Sequence, residues 1–156
     1  MKHKVKDDRF YIRQFTIEDL EPLHDLLSDS EVMKYLEPPF TRKQTEHFLK
    51  SQGLAALPRI LAVDDKDRSF IGYVIYHDYD DASKEIGWVL KKEIWGHGMA
   101  SLLTKQLVAT AAAEGKDTVI ECVPEQQATR VIAEKHGFRK AGENNGLLIY
   151  RRERND

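Results

Sequence analysis

Two glycines with one residue between them, Gly96 and Gly98, stand immediately before the run "MASLLTKQLVATAAAEG", in which Met99, Leu103, Leu107 and Ala111 recur every four residues beside Leu102. That period is helical, and Gly115 can end the helix. The first four N–H groups of a helix have no intrahelical partner, and the helix dipole adds partial positive charge at the same end. Glycines there let the main chain come within hydrogen-bonding distance of a bulky phosphate, because no β-carbon intervenes. The chemistry indicated is anion binding, with a pyrophosphate as the natural guest. The same spacing also serves a tight strand-to-helix turn.

A dinucleotide-binding fingerprint competes for these glycines, since "GHGMAS" nearly fits G-x-G-x-x-G and Glu121 closes the next apolar run near the ribose-binding position. Three features oppose it. The third glycine is Ser101, the polar insert "KKEIW" separates the glycines from the preceding strand, and that strand belongs to an apparent antiparallel meander.

Other reactive side chains are sparse. Cys122 is the only cysteine and lies in the apolar run "TVIECV", so no intramolecular disulfide forms and an inert buried thiol is expected. A nucleophilic role would need a basic or histidine partner that the sequence does not place. His24, His47 and His136 are spread over three expected helices without ligand spacing, so no metal is expected. His77 and the acidic "DYDD" at 78–81 either draw a cationic amine toward a cleft or form a solvated hairpin turn.

The elements that must position these groups follow from pattern. "RFYIRQF" reads as a strand and "TIEDLEPLHDLLSD" as a helix, with Thr16 or Asp19 as N-cap; Pro22 favours Asp19, because proline is tolerated only in the first turn. "DSEVMKYL" reads as a short second helix stopped by "EPPF". "TRKQTEHFLKSQG" reads as a third, with a Thr41/Gln44 capping box and Gly53 beyond its end. "RILAVDD", "SFIGYVIYHD" and "EIGWVL" form a meander joined by hairpin-length connections. The glycine-led helix follows, then the buried strand "DTVIECV". Next comes the helix "EQQATRVIAEKHGF", with Gly137 at the left-handed C-terminal position and Phe138 folding back on Ile132 or Ala133. Strands in "RKAGE" and "LLIYRRE" flank an "NNG" turn.

This order makes an α+β, or mixed α/β, domain. At 156 residues the chain is long enough for one well-cored domain and short for two, with residues 1–7 and 152–156 expected to be solvated termini. The balance of 24 Lys+Arg against 26 Asp+Glu gives a net charge of -2, which makes no electrostatic case for nucleic acid, and no aromatic-plus-basic array for RNA is present. No apolar run approaches bilayer length, and "MKHKVKDD" leads into no apolar signal core, so no membrane association and a cytoplasmic location are expected.

Four fragments, in order and at matching spacing, resemble the GNAT superfamily of acetyl-CoA-dependent N-acetyltransferases, in the branch that includes the RimJ and RimL protein N-terminal acetylases. They are "IRQFTIEDLEPLHDLLSDSEVMKYLEPPFT", "IGYVIYHDYDDASKEIGWVL", "WGHGMAS" (similar to W-G-x-G-[YM]-A-[ST]) and "EQQATRVIAEKHGF" (similar to N-x-x-S-x-x-V-x-E-K-x-G-F). The resemblance spans nearly the whole chain. It implies the acyl-CoA N-acyltransferase fold: a twisted mixed sheet of six to seven strands with four to five helices, whose central strands, 85–90 and 118–123, splay apart around acetyl-CoA.

Carried onto this sequence, the resemblance implies that the main chain of Trp95, Gly96, His97, Gly98, Met99, Ala100 and Ser101 holds the pyrophosphate. Trp88, Val89 and Leu90 would pair with the pantetheine arm as a strand edge does. The Val89 N–H would polarise the thioester carbonyl, and Glu85 would serve as the base, directly or through water. Gln126 stands where the family carries asparagine and Thr129 where it carries serine, and both are implied cofactor contacts. The usually basic residue between the glycines is His97. Ala133 replaces the tyrosine that protonates the leaving sulfur in many relatives, leaving water or Thr129 for that task.

The implied partners are acetyl-CoA and an amine acceptor, either a protein N-terminus or a small molecule such as a polyamine, amino acid or aminoglycoside. Monomer and homodimer are both compatible with the sequence. A non-catalytic acyl-CoA-binding or regulatory module is the alternative, motivated by Ala133 and Gln126.

Overall fold

The structure is a computed structural model that describes residues 8–154. The expectation for residues 1–7 therefore lies outside the described residues. The chain divides into two units, one holding the described chain up to Ile75 together with Trp88–His97, the other holding Tyr76–Gly87 and the chain from Gly98 on.

The described residues form seven strands and four helices: β1 Phe10–Arg13, α1 Leu20–Leu27, α2 Arg42–Phe48, β2 Ile60–Asp65, β3 Phe70–Asp80, β4 Ser83–Leu90, α3 Met99–Ala113, β5 Asp117–Cys122, α4 Gln127–Lys135, β6 Arg139–Asn144 and β7 Leu147–Arg152. The strands hydrogen-bond in the order β1-β2-β3-β4-β5-β7-β6. The sheet is mixed: β4 and β5 are parallel, whereas β1/β2, β2/β3, β5/β7 and β6/β7 are antiparallel. The β4/β5 register covers three pairs, Ser83–Asp117, Lys84–Thr118 and Glu85–Val119, while β5 continues to pair with β7 as far as Cys122.

In the first unit, Leu20, Leu23, Leu26 and Leu27 of α1 are all buried, packed with Phe15, Met33, Leu49, Ile60, Ala62, Phe70, Tyr73 and Val89. Each fully buried leucine contributes roughly 1.5–3 kcal/mol, which fixes α1 on its helical stripe. The start of α1 uses both candidate caps: a 3-10 turn, Ile17–Asp19, precedes it, and the Asp19 carboxylate accepts the Thr16 N–H at 2.8 Å. Arg13 then bridges two buried carboxylates, donating to Asp19 at 2.9 Å and to Asp64 at 2.7 Å.

Two local expectations are corrected here. Residues 29–36 form turns rather than a second helix, because the Asp29 carboxylate accepts the Glu31 and Val32 N–H groups and a single i to i−4 bond, Met33 to Asp29, is made. The third predicted helix does have its Thr41/Gln44 box, with reciprocal bonds of 3.1 and 2.8 Å. Gly53, however, closes a wider π-type turn, Leu49–Gly53, where a β-carbon would lie 3.1 Å from Phe15 and 3.2 Å from Leu49.

In the second unit, Leu103, Leu107 and Ala111 are fully buried along one face of α3. Both helices of this unit end in Schellman geometry: Gly115 has φ 76° with Lys116 N–H on the Ala111 carbonyl at 2.9 Å, and Gly137 has φ 85° with Phe138 N–H on the Ala133 carbonyl at 2.9 Å. Asn145 (φ 52°) and Gly146 (φ 82°) make the tight β6–β7 hairpin. Arg152 donates to the His136 carbonyl, and Asp117 accepts from both the main-chain N–H and the guanidinium of Arg154; residues 155–156 lie outside the described residues.

Candidate active site

Gly98 is the N-cap of α3 with φ 82°, and its carbonyl accepts the first helical bond, from Leu102 N–H, at 3.1 Å. The N–H groups of Met99, Ala100 and Ser101 precede that bond and face out of the helix end. No acidic side chain sits in the first turn to compete with an anion. Gly96 has φ 79°, and at neither glycine would a β-carbon meet a protein atom within 4 Å. The left-handed backbone explains the glycines, and the space beside them is open on the protein side.

The neighbouring side chains hold this segment in shape. The Trp95 indole N–H donates to the Leu90 carbonyl at 3.0 Å while its ring stays 45% exposed. His97 is exposed, with Nδ1 3.2 Å from the Ile94 carbonyl. Ser101 Oγ lies 2.6 Å from His136 Nε2. Burial, with help from Lys135, Arg152 and Lys105, lowers the His136 pKa from its usual value and favours the neutral ring. Sequence reasoning gave His136 no partner, because the contact joins positions far apart in the chain.

Trp88 is half-buried, and the Val89 and Leu90 side chains are buried. The backbone here is fixed by a feature the sequence did not disclose: a β-carbon on Gly72 would lie 2.2 Å from the Val89 carbonyl oxygen. Only glycine lets β3 approach β4 this closely.

Gln126 occupies the N-cap position of α4, and its Oε1 accepts the Val123 N–H at 2.9 Å, so the amide oxygen caps the end of β5. Thr129 lies half-buried in the first turn of α4. Ala133 is 0% exposed and supplies no acid. Cys122 is buried, and desolvation pushes its thiol above the usual range, the opposite of an activated nucleophile.

Glu85 lies on β4 with Oε1 3.6 Å from His77 Nε2 on β3. Tyr79 donates to Glu121 at 3.0 Å. The acidic segment 78–81 is not a free magnet for cations, and much of it is strand rather than turn. Asp78 is paired with Lys84 at 2.8 Å, and Asp80 accepts from Ser83, the Ala82 N–H and Arg151. Those bonds hold Asp80 down at a pKa of about 2. Among the described residues no group of three or more His, Cys, Asp or Glu is placed to hold a metal, and no helix is long and apolar enough to cross a membrane.

Residues 9–139 match the family model of the acetyltransferase (GNAT) domain. The chain is 28% identical over 145 residues to the uncharacterized N-acetyltransferase YnaD of Bacillus subtilis, covering 88% of this chain and 84% of that protein. A GNAT-family acetyltransferase from Bacillus anthracis superposes with a TM-score of 0.81 at 26% identity, covering 97% and 98% of the two chains. RimL, the ribosomal L7/L12 α-N-protein acetyltransferase solved with coenzyme A, shares the fold with a TM-score of 0.79 at 18% identity, covering 95% and 96%. With the family model matched over most of its length and a left-handed glycine opening the helix where the anion is expected, the chain belongs to the GNAT family of acetyltransferases.

Proposed function

We propose that the protein transfers the acetyl group of acetyl-CoA to a primary amine, on a protein N-terminus or a small molecule, by direct attack in a ternary complex. The observation that carries this reading is the pair of left-handed glycines at the head of α3, with open space beside both. In this reading the main chain of residues 95–101 binds the pyrophosphate, and the strand edge at Trp88, Val89 and Leu90 receives the pantetheine arm. The Val89 N–H, held in place by the close approach of Gly72, polarises the thioester carbonyl. Glu85 faces the incoming amine.

Gln126 presents its amide NH2 to the cofactor while its oxygen stays on Val123, and Thr129 completes the contact set. The leaving sulfur receives the second amine proton through water or Thr129, since Ala133 has no proton to give. The likeness to RimL, solved with coenzyme A, supports the cofactor and the RimJ/RimL-like branch. The family match over residues 9–139 supports one acetyltransferase domain; we place it in the cytoplasm, as a monomer or homodimer.

A melting-temperature titration with acetyl-CoA, desulfo-CoA and NAD in parallel tests the cofactor, because a ligand that binds only the folded state stabilises it by about 2.7 kcal/mol at a hundredfold excess over Kd. Both CoA ligands should raise the melting temperature and NAD should not; the reverse pattern would overturn the assignment. Release of CoA thiol with spermidine, a tripeptide with a free N-terminus and kanamycin then tests the acceptor class. Binding without turnover on the whole panel would count against amine acetylation.

A further inference from the structure

We propose that His77 and Glu85 form a proton-relay pair for the transfer reaction, in which Glu85 meets the acceptor amine and His77 takes the proton onward; this rests on the acetyl-transfer reading above. The two residues lie on adjacent strands of the second unit, with His77 Nε2 3.6 Å from Glu85 Oε1. His77 Nδ1 lies 2.9 Å from the Asp78 carbonyl oxygen. A carbonyl only accepts, so Nδ1 carries the hydrogen and Nε2 is the nitrogen that titrates. That nitrogen points at the carboxylate.

The side chains are 13% and 22% exposed, withdrawn from bulk water yet open enough for a proton to leave. Among the described residues, charged neighbours of the pair have partners of their own. Asp78 holds Lys84, and Tyr79 donates to Glu121. A proton on His77 Nε2 would face the Glu85 carboxylate.

The pair matters because a lone carboxylate is a poor sink for an ammonium proton. An unperturbed imidazole binds a proton about two pH units more tightly than a glutamate does. In the relay, R–NH3+ gives one proton to the Glu85 carboxylate, and the carboxylic acid so formed passes that proton on to His77 Nε2. The freed lone pair forms the C–N bond at the thioester carbonyl carbon, and the C–S bond breaks. The second amine proton leaves with the thiolate as the CoA thiol, and the imidazolium returns its proton to water. His77 is thus a positioning and relay residue, acting through Glu85.

The pairing is tested without substrate by NMR titration of the His77 Cε1–H, assigned with His77→Gln, in wild type and Glu85→Gln. The midpoint should fall in Glu85→Gln, because the favourable carboxylate is gone; an unchanged midpoint overturns the pairing. The relay is tested by kcat/KM against pH for His77→Gln, with whichever of spermidine, the tripeptide or kanamycin the wild type acetylates fastest. A loss of about 10²-fold near neutrality is expected, with KM for acetyl-CoA retained and the imidazole limb of the profile absent. Wild-type rates and profile in His77→Gln overturn the relay alone. Absence of turnover in the wild type on all three acceptors overturns the transfer reading and the relay together, while the NMR result still decides the pairing.

Discussion

Gly98 concentrates the cofactor reading in one backbone angle. Its φ of 82° nearly equals that of Gly115 at the other end of α3, at 76°, and a β-carbon at either position would meet no protein atom within 4 Å. Valine at either site should therefore cost a similar left-handed strain, on the order of 1–3 kcal/mol by urea denaturation. The two variants should separate in calorimetric titration with acetyl-CoA. Gly98→Val is expected to lose at least about tenfold in affinity, because its side chain also enters the phosphate approach, whereas Gly115→Val keeps wild-type affinity. Equal affinities would remove the pyrophosphate from this loop. Glu85→Gln should do the converse, keeping acetyl-CoA affinity while lowering kcat/KM by about 10²-fold. The glycines were legible in the sequence because left-handed backbone needs a particular residue type. His77, His136 and Gly72 were not, since their meaning depends on which strand or helix end folding brings beside them.

At the scale of elements, local chemistry decides where helices begin and end. Thr41 and Gln44 satisfy each other's main-chain N–H groups at the head of the seven-residue α2, too short to persist on propagation alone. Thr41→Ala should cost about 1 kcal/mol of unfolding free energy by urea denaturation, and Thr41→Ser should restore most of it. A loss within error of zero would show that packing, not the cap, sets this end. The same reasoning explains what pattern reading caught and missed. All seven strands and four helices were visible as periodicity bounded by turn residues. The segment 29–36 was not, because it has helical spacing of apolar residues while Asp29 diverts the first N–H groups to its own carboxylate. Periodicity reports the face that is buried, not the hydrogen bonds that satisfy the backbone.

At the scale of the whole molecule, the near-balance of charge behind the net -2 conceals two separate acid-sensitive networks. In one unit Arg13 bridges Asp19 and Asp64; in the other Arg151 bridges Asp80 and Asp117. Burial pushes the Asp19 pKa up, but the hydrogen bonds from Arg13 and Thr16 outweigh it, and the net shift is downward from 3.8. Asp80 is held at about 2 by Ser83, the Ala82 N–H and Arg151. A carboxylate whose folded pKa is depressed contributes stability that is fully present above its unfolded pKa and is lost as pH falls through the folded value. Thermal stability should therefore be level above about pH 5 and fall between about pH 4 and 2. Asp19→Asn and Asp80→Asn should each lower stability at pH 7 and flatten the acid limb. The two carboxylates draw on different partners, so the double variant should equal the sum of the singles within about 0.5 kcal/mol if the chain unfolds in one cooperative step. A larger departure, or two resolved transitions in the calorimeter, would show instead that the units lose structure separately in acid.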